Sequence, residues 1–315
     1  MRALNYEYHG SIDVLQVSET PVPEAADDEV LIRVRAASIN PFDWKLRNGM
    51  LRNFFDMEFP VTPGRDGCGE IVSIGRKAEQ DHGAVLRSGQ RVSFISSRMQ
   101  QGAMAEFAAV KAQDFIAPAP KDLTAQQCAA LPLVGLSAWN ALVDTAELQP
   151  GMKVLIHGGS GGVGSIAIQV ARHFGAEIYA TCNTANVAAV EDLGATAIPY
   201  DSIDFTEAVS DCDIVLDTVG GEVHEKSYTV LKKGGCLVYL IAKPFNDVSG
   251  DFEVETRQAI ILNRTENLQQ VMDLAQSGIL MPMVSQSMPL IEFRQAFQLV
   301  ESGSAGGKVV LTIHI

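Results

Sequence analysis

One stretch constrains the fold more than any other: Lys153-Val154-Leu155-Ile156-His157-Gly158-Gly159-Ser160-Gly161-Gly162-Val163-Gly164. The apolar run Val154 to Ile156 reads as a fully buried strand. Glycines follow at once. Val163, Ala167, Val170, Ala171 and Phe174 then recur at the spacing of one helix face. Strand, glycine turn and helix form the context that gives G-x-G-x-x-G meaning, and Gly159, Gly161 and Gly164 fit it. Gly159 is expected to allow the tight turn, Gly161 to let a pyrophosphate approach the backbone, and Gly164 to let helix and strand pack closely. The helix N-terminus then offers N–H groups and partial positive charge to phosphate. The alternative is a glycine-rich loop in an α/β protein that binds no dinucleotide.

A length of 315 residues suggests two domains, each able to bury a core. The net charge of −14 opposes non-specific binding to nucleic acid and to anionic membranes. No apolar run is long enough to span a bilayer. Met1 to Gly10 is polar and strand-like, unlike a signal peptide. The five cysteines (Cys68, Cys128, Cys182, Cys212, Cys236) are scattered and form no C-x-x-C pair. They read as reduced thiols of a cytoplasmic protein, without a disulfide framework or a zinc site.

Residues 1–122 alternate short strands with turn signals, and read as a mostly β domain. Strands are expected at Leu15–Ser18, Glu29–Ala37, Gly69–Ile74, Arg91–Ile95 and Ala105–Val110. Thr124 can cap a helix, and another is expected over Ser137–Asp144. From 123 to 263 strands alternate with helices. The strands are Val154–Ile156, Ile178–Thr181, Ala197–Ile198, Ile214–Asp217 and Cys236–Ile241, with Ala259–Leu262 expected last. Helices fall near 163–174, 185–193, 204–210 and 223–231, with Gly175, Gly194 and Gly234 as expected helix caps. Such alternation implies an α/β fold with a doubly wound parallel sheet. Residues 264–315 hold two helices, Glu266–Gln276 and Leu290–Glu301, then a strand, Lys308–Ile313. That strand has no place in the parallel sheet and is expected to return to the N-terminal β domain.

Several motifs occur in one order. They are Ala36-Ala37-Ser38-Ile39-Asn40-Pro41-Phe42-Asp43, Pro63-Gly64-Arg65-Asp66-Gly67-Cys68-Gly69, Gly102-Ala103-Met104-Ala105-Glu106-Phe107 and Leu131-Pro132-Leu133-Val134-Gly135-Leu136-Ser137-Ala138-Trp139. The glycine stretch, Asp217-Thr218-Val219-Gly220-Gly221 and Gly307-Lys308-Val309-Val310-Leu311 follow. The series resembles the medium-chain dehydrogenase/reductase superfamily over nearly the whole chain, in its zinc-independent quinone oxidoreductase group. Asp43-Trp44-Lys45-Leu46-Arg47 is closest to the branch with enone and alkenal reductases. The resemblance implies a GroES-like domain beside a Rossmann domain, a substrate cleft between them and a homodimer. In such dimers the last parallel strands pair.

Zinc alcohol dehydrogenases of that superfamily carry Cys where Asn40 stands, His-Glu where Arg65-Asp66 stand, and a second Cys near Leu133. Catalytic zinc needs three such ligands. Asn, Arg and Leu do not replace them, so no metal is expected. Without a Lewis acid, alcohol oxidation is a poor fit. Hydride transfer to a quinone or an α,β-unsaturated carbonyl fits better. Lys45 is the candidate proton donor, the alternative being a solvated lysine. Asn40 is expected near the nicotinamide or ribose, the alternative being a turn residue. Asp43 and Asp66 read as structural, and His157 as a packed polar residue. A dinucleotide-binding redox sensor or structural protein with little catalysis is a competing reading, and a zinc-type dehydrogenase a weaker one.

NAD enzymes place an acid at the end of the second sheet strand to hold the ribose. Thr181-Cys182-Asn183-Thr184 contains none, which favours NADPH over NADH. Tyr200 matches a family tyrosine near the 2′-phosphate, yet no Lys or Arg occurs from Phe174 to Glu225. Expected cofactor contacts are therefore Asn40, Gly159, Ser160, Gly161, Gly162, Val163, Cys182, Asn183, Thr184, Tyr200, Ile241, Ala242 and Lys308.

Overall fold

The computed structural model describes residues 1–83, 85–96, 98–113, 116–240, 245–261 and 265–313. The chain divides into two compact units. One comprises Met1–Leu133, Asn263–Ser277 and Pro282–Ile315, and the other Val134–Leu262 with Gly278–Met281.

The second unit is built on a parallel sheet of six strands. In space they run Thr196–Pro199, Glu177–Cys182, Lys153–Ile156, Cys212–Asp217, Leu231–Tyr239, Glu255–Gln258. Counted along the chain the order is 3-2-1-4-5-6, the doubly wound arrangement. It reverses direction at Lys153–Ile156, the strand that feeds the glycines. Leu155, Val215 and Leu237 are fully buried in this sheet, packed with Tyr228 and Phe205. The helix Gly162–His173 is buried continuously from Gly164 to Ala171. Arg172 and His173 in its last turn suit the negative end of the helix dipole, and Gly175, at φ +75°, ends it.

Two details of this sheet differ from the sequence reading. The last strand is Glu255–Gln258, not Ala259–Leu262. An edge strand has one neighbour and can be polar, so the apolar run just beyond it misleads. Ala259 still donates its N–H to the Tyr239 carbonyl at 2.9 Å, and Leu262 lies outside the described residues. The preceding strand is Leu231–Tyr239, earlier than Cys236–Ile241, so Gly234 (φ +74°) sits within it instead of capping a helix.

The first unit holds a seven-stranded sheet and the antiparallel pair Arg2–Asn5 and Gln16–Glu19. The long strand Glu29–Ile39 is its centre, pairing with Asp66–Ile74, Phe107–Lys111 and the tail strand Lys308–Thr312. The tail strand runs antiparallel to it, with Val309 opposite Ile39. That register brings Lys308 beside Asn40. Val284–Pro289, which the sequence reading lacks, lies parallel to the tail strand. The helix Ala125–Ala130 groups with this unit, although residues 123–133 read as part of the nucleotide domain. Its Cys128, Ala129 and Ala130 are fully buried, and Ser93 Oγ donates to the Cys128 carbonyl at 3.1 Å.

Candidate active site

In the second unit the glycine turn is shaped by contacts that exclude side chains. A Cβ on Gly164 would lie 2.1 Å from the Gly158 carbonyl oxygen and 2.9 Å from Gly159 Cα. Helix and turn therefore touch backbone to backbone, as expected. The positive φ of the tight turn falls on Gly158 (+76°), not Gly159. Gly159 is needed for packing instead: its Cβ would meet Ala180 Cβ at 2.7 Å. Gly161 caps the helix from an extended conformation, where a Cβ would stand 3.1 Å from the Gly158 oxygen. Ser160, Gly161, Gly162 and Val163 are partly exposed at the start of the helix. A backbone-walled turn ahead of a helix N-terminus fits a pyrophosphate.

His157 sits under this turn and is buried. Ser227 Oγ donates to the Val223 carbonyl at 2.6 Å, so it accepts from His157 Nε2–H at 2.9 Å. His157 Nδ1 then accepts from the Thr181 hydroxyl at 3.2 Å, while Thr181 Oγ1 takes the Gly158 N–H at 3.2 Å. The imidazole is buried with both ring nitrogens taken by protein partners. Burial pushes its pKa down to about 4, with Asp217 opposing and His224 adding to the shift. An unfolded histidine titrates near 6.5. Below that pH the unfolded chain binds a proton that the folded chain refuses, so stability falls from about pH 6.5 to about pH 4. Asp43, whose carboxyl burial pushes up to about 7, contributes in the opposite sense across that window. The His157 effect is therefore read as the difference in urea unfolding between the unaltered protein and His157→Gln, which should narrow as pH falls.

The strand Glu177–Cys182 ends where an adenosine ribose is expected. Cys182 is buried, so its thiol does not face outward, and burial pushes that thiol up. The Cys182 carbonyl accepts the Tyr200 N–H at 2.9 Å. Asn183 caps the short turn Thr184–Asn186, its Oδ1 accepting from Ala185 N–H at 3.0 Å. Tyr200 is 60% exposed. Thr184 donates both its N–H (3.0 Å) and its hydroxyl (2.8 Å) to Asp201 Oδ1. Asp201 is absent from the sequence reading, because it follows the third strand and not the second. Ile241 and Ala242 lie outside the described residues.

In the first unit, Pro41 at the first helical position and Asp43 at the third start the helix Pro41–Arg47. Asp43 Oδ2 accepts the Asn40 N–H at 2.8 Å, and Oδ1 the Gly64 N–H at 3.2 Å. Burial pushes the Asp43 carboxyl up to about 7, against the pull of the Asn40 N–H. The Asn40 side chain is also committed. Its Nδ2 donates to Asp66 Oδ1 at 2.7 Å, and its Oδ1 accepts from Lys308 Nζ at 2.6 Å. Asp66 further accepts from Ser38 Oγ at 2.6 Å and from the Leu133 N–H at 3.2 Å. Asn40, Ser38 and the Leu133 backbone thus converge on the Asp66 carboxyl group. Lys308 is not a surface lysine: it is buried, its ammonium is bonded to Asn40, and burial lowers its pKa. The Arg65 guanidinium lies over the Phe42 ring at 5.7 Å and reaches Met99 Sδ at 3.4 Å. Lys45 is half-buried, its ammonium 5.7 Å from the Trp44 ring centre. Among the described residues no group of three or more His, Cys, Asp or Glu is arranged to hold a metal ion.

Residues 26–121 match the model of the alcohol dehydrogenase GroES-like domain, and residues 193–311 that of a zinc-binding dehydrogenase. The chain is 33% identical to 2-methylene-furan-3-one reductase of Solanum lycopersicum, over 99% of this chain and 79% of that protein. The chain belongs to the medium-chain dehydrogenase/reductase superfamily. A second relative in this superfamily is an NADPH-dependent alkenal/one oxidoreductase, chloroplastic, of Arabidopsis thaliana, 32% identical over 99% of this chain and 79% of the relative. Among solved structures, the quinone oxidoreductase of Coxiella burnetii superposes with a TM-score of 0.90 at 32% identity, covering 100% of this chain and 99% of that one. These matches put the chain in the quinone oxidoreductase and enone reductase group of the medium-chain dehydrogenase/reductases.

Proposed function

We propose that this protein reduces a quinone or an α,β-unsaturated carbonyl with hydride from a nicotinamide dinucleotide, without zinc. The observation that carries the reading is the pair of built features on its two units. One is a glycine turn packed so closely that a Cβ at Gly159 would strike Ala180 and one at Gly164 the Gly158 backbone. The other is a hydrogen-bonded centre at the positions where zinc enzymes of the superfamily bind metal. Bound nicotinamide supplies the hydride. The turn Gly159 to Val163 holds the pyrophosphate through backbone N–H groups. Asn183, Thr184 and Tyr200 serve the adenosine end.

Asn40 and Lys308 act as positioning residues. With every polar atom of the Asn40 side chain taken, the helix that starts there is held in one orientation. That helix carries Lys45, which gives a proton to the oxygen or carbon left electron-rich by hydride addition. The zinc ligands Cys, His and Cys are replaced by Asn40, Arg65 and Leu133, which supports metal-free chemistry. Among the described residues Glu255–Gln258 is the edge of its sheet, which suits pairing with a second copy as a homodimer, and five buried thiols without a disulfide suit the cytoplasm.

Loss of nicotinamide absorbance with 1,2-naphthoquinone and with an alkenal tests the reading. Turnover with either acceptor is expected, and Lys45→Met should lower kcat about 100-fold while nucleotide affinity stays unchanged. Tight nucleotide binding with no turnover of either acceptor would favour a redox-sensing binder. Stoichiometric zinc by elemental analysis would overturn the metal-free site.

A further inference from the structure

The second sheet strand supplies no acid of its own at its end, yet the fold delivers one. The Tyr200 N–H bond to the Cys182 carbonyl draws the chain after Thr196–Pro199 alongside the chain after Glu177–Cys182. Asp201 is the next residue. Its Oδ1 is anchored by two donors of Thr184, at 3.0 and 2.8 Å, and the side chain is exposed. The Thr184 hydroxyl holds the Asp201 carboxyl below its usual range, so it is ionised at neutral pH. Asp201 and Glu191 both push the Cys182 thiol up, so two carboxyl groups lie around this strand end. No Lys or Arg occurs between Phe174 and Glu225 to offset them.

We propose that Asp201 sets the choice of cofactor: its anchored carboxylate accepts a ribose hydroxyl and repels a 2′-phosphate, so that NADH binds in preference to NADPH. The carboxylate does from the third strand what an acid at the end of the second strand does in NAD-binding sheets. The exposed ring of Tyr200 is available to the adenine in either cofactor, so it does not discriminate between them. The inference rests on the nucleotide-binding reading above and replaces the NADPH preference that the sequence alone suggests.

Binding, not turnover, tests it. Titration of the purified protein by nicotinamide fluorescence at low salt should show NADH binding about tenfold tighter than NADPH, the order of one close charge pair at a surface, and the ratio should shrink as salt is added. Asp201→Asn keeps an acceptor for Thr184 and should narrow that ratio about tenfold, mainly by tightening NADPH. Glu177→Gln removes equal charge at the opposite end of the same strand and should leave the ratio unchanged. Thermal shifts with 5′-AMP and 2′,5′-ADP on the unaltered protein give an independent reading should Asp201→Asn fold poorly. There 5′-AMP should stabilise more. Tighter NADPH binding by the unaltered protein, or an unchanged ratio in Asp201→Asn, overturns the assignment and leaves the oxidoreductase reading intact. Binding of neither nucleotide overturns both.

Discussion

Replacing Lys308 with Met should lower the unfolding free energy by about 3 kcal/mol at neutral pH. The ammonium is buried and donates to Asn40 Oδ1 at 2.6 Å and to the Ile39 carbonyl at 3.4 Å. Asp66 and Asp43 both favour its charged form. Without it, two buried carboxylates lose a cation, and Asn40 Oδ1 loses its donor where water does not reach. Removing one partner of a buried charged network costs far more than the network contributes as a whole, because the remaining charge stays desolvated. A fall in the urea midpoint at constant slope would report the loss. An unchanged midpoint would mean that Arg65 alone balances the two acids.

Gly164→Ala should weaken nicotinamide nucleotide binding about 100-fold, equivalent to roughly 2–3 kcal/mol of strain at the turn. The added methyl would lie 2.1 Å from the Gly158 oxygen, 2.7 Å from the Gly158 carbonyl carbon and 2.9 Å from Gly159 Cα. All three are backbone atoms and none can rotate away. The helix must therefore move off the turn, and its first N–H groups move with it. Fluorescence titration reads the affinity, and circular dichroism separates a displaced helix from a lost fold. Near-normal affinity would mean that the turn tolerates opening and that the close contact is not needed for binding.

The candidate site divides sharply between what local pattern reveals and what it hides. The glycine turn was legible because its constraint is local: strand, turn and helix are contiguous, and absent side chains are visible in the sequence. Even there, the positive φ falls on Gly158, one residue before the glycine expected to make the turn, and Gly159 packs against Ala180. The last sheet strand was misplaced by a few residues because an edge strand need not be apolar. Lys308 was legible as a residue of interest, but not as a buried one. Its surroundings come from a tail strand that pairs with Glu29–Ile39, and its bond to Asn40 joins residues 268 positions apart.

The sequence by itself determined the alternation of strands and helices and the position of the glycine turn. Each of these follows from residue identity and short-range spacing. Only the tertiary structure decided that Asn40, Asp66 and Lys308 form one buried network, and that Asp201 stands beside Thr184. The physical reason is the same in both places. Buried or anchored polar groups must find partners, and strand register, not sequence distance, chooses which partners are within reach.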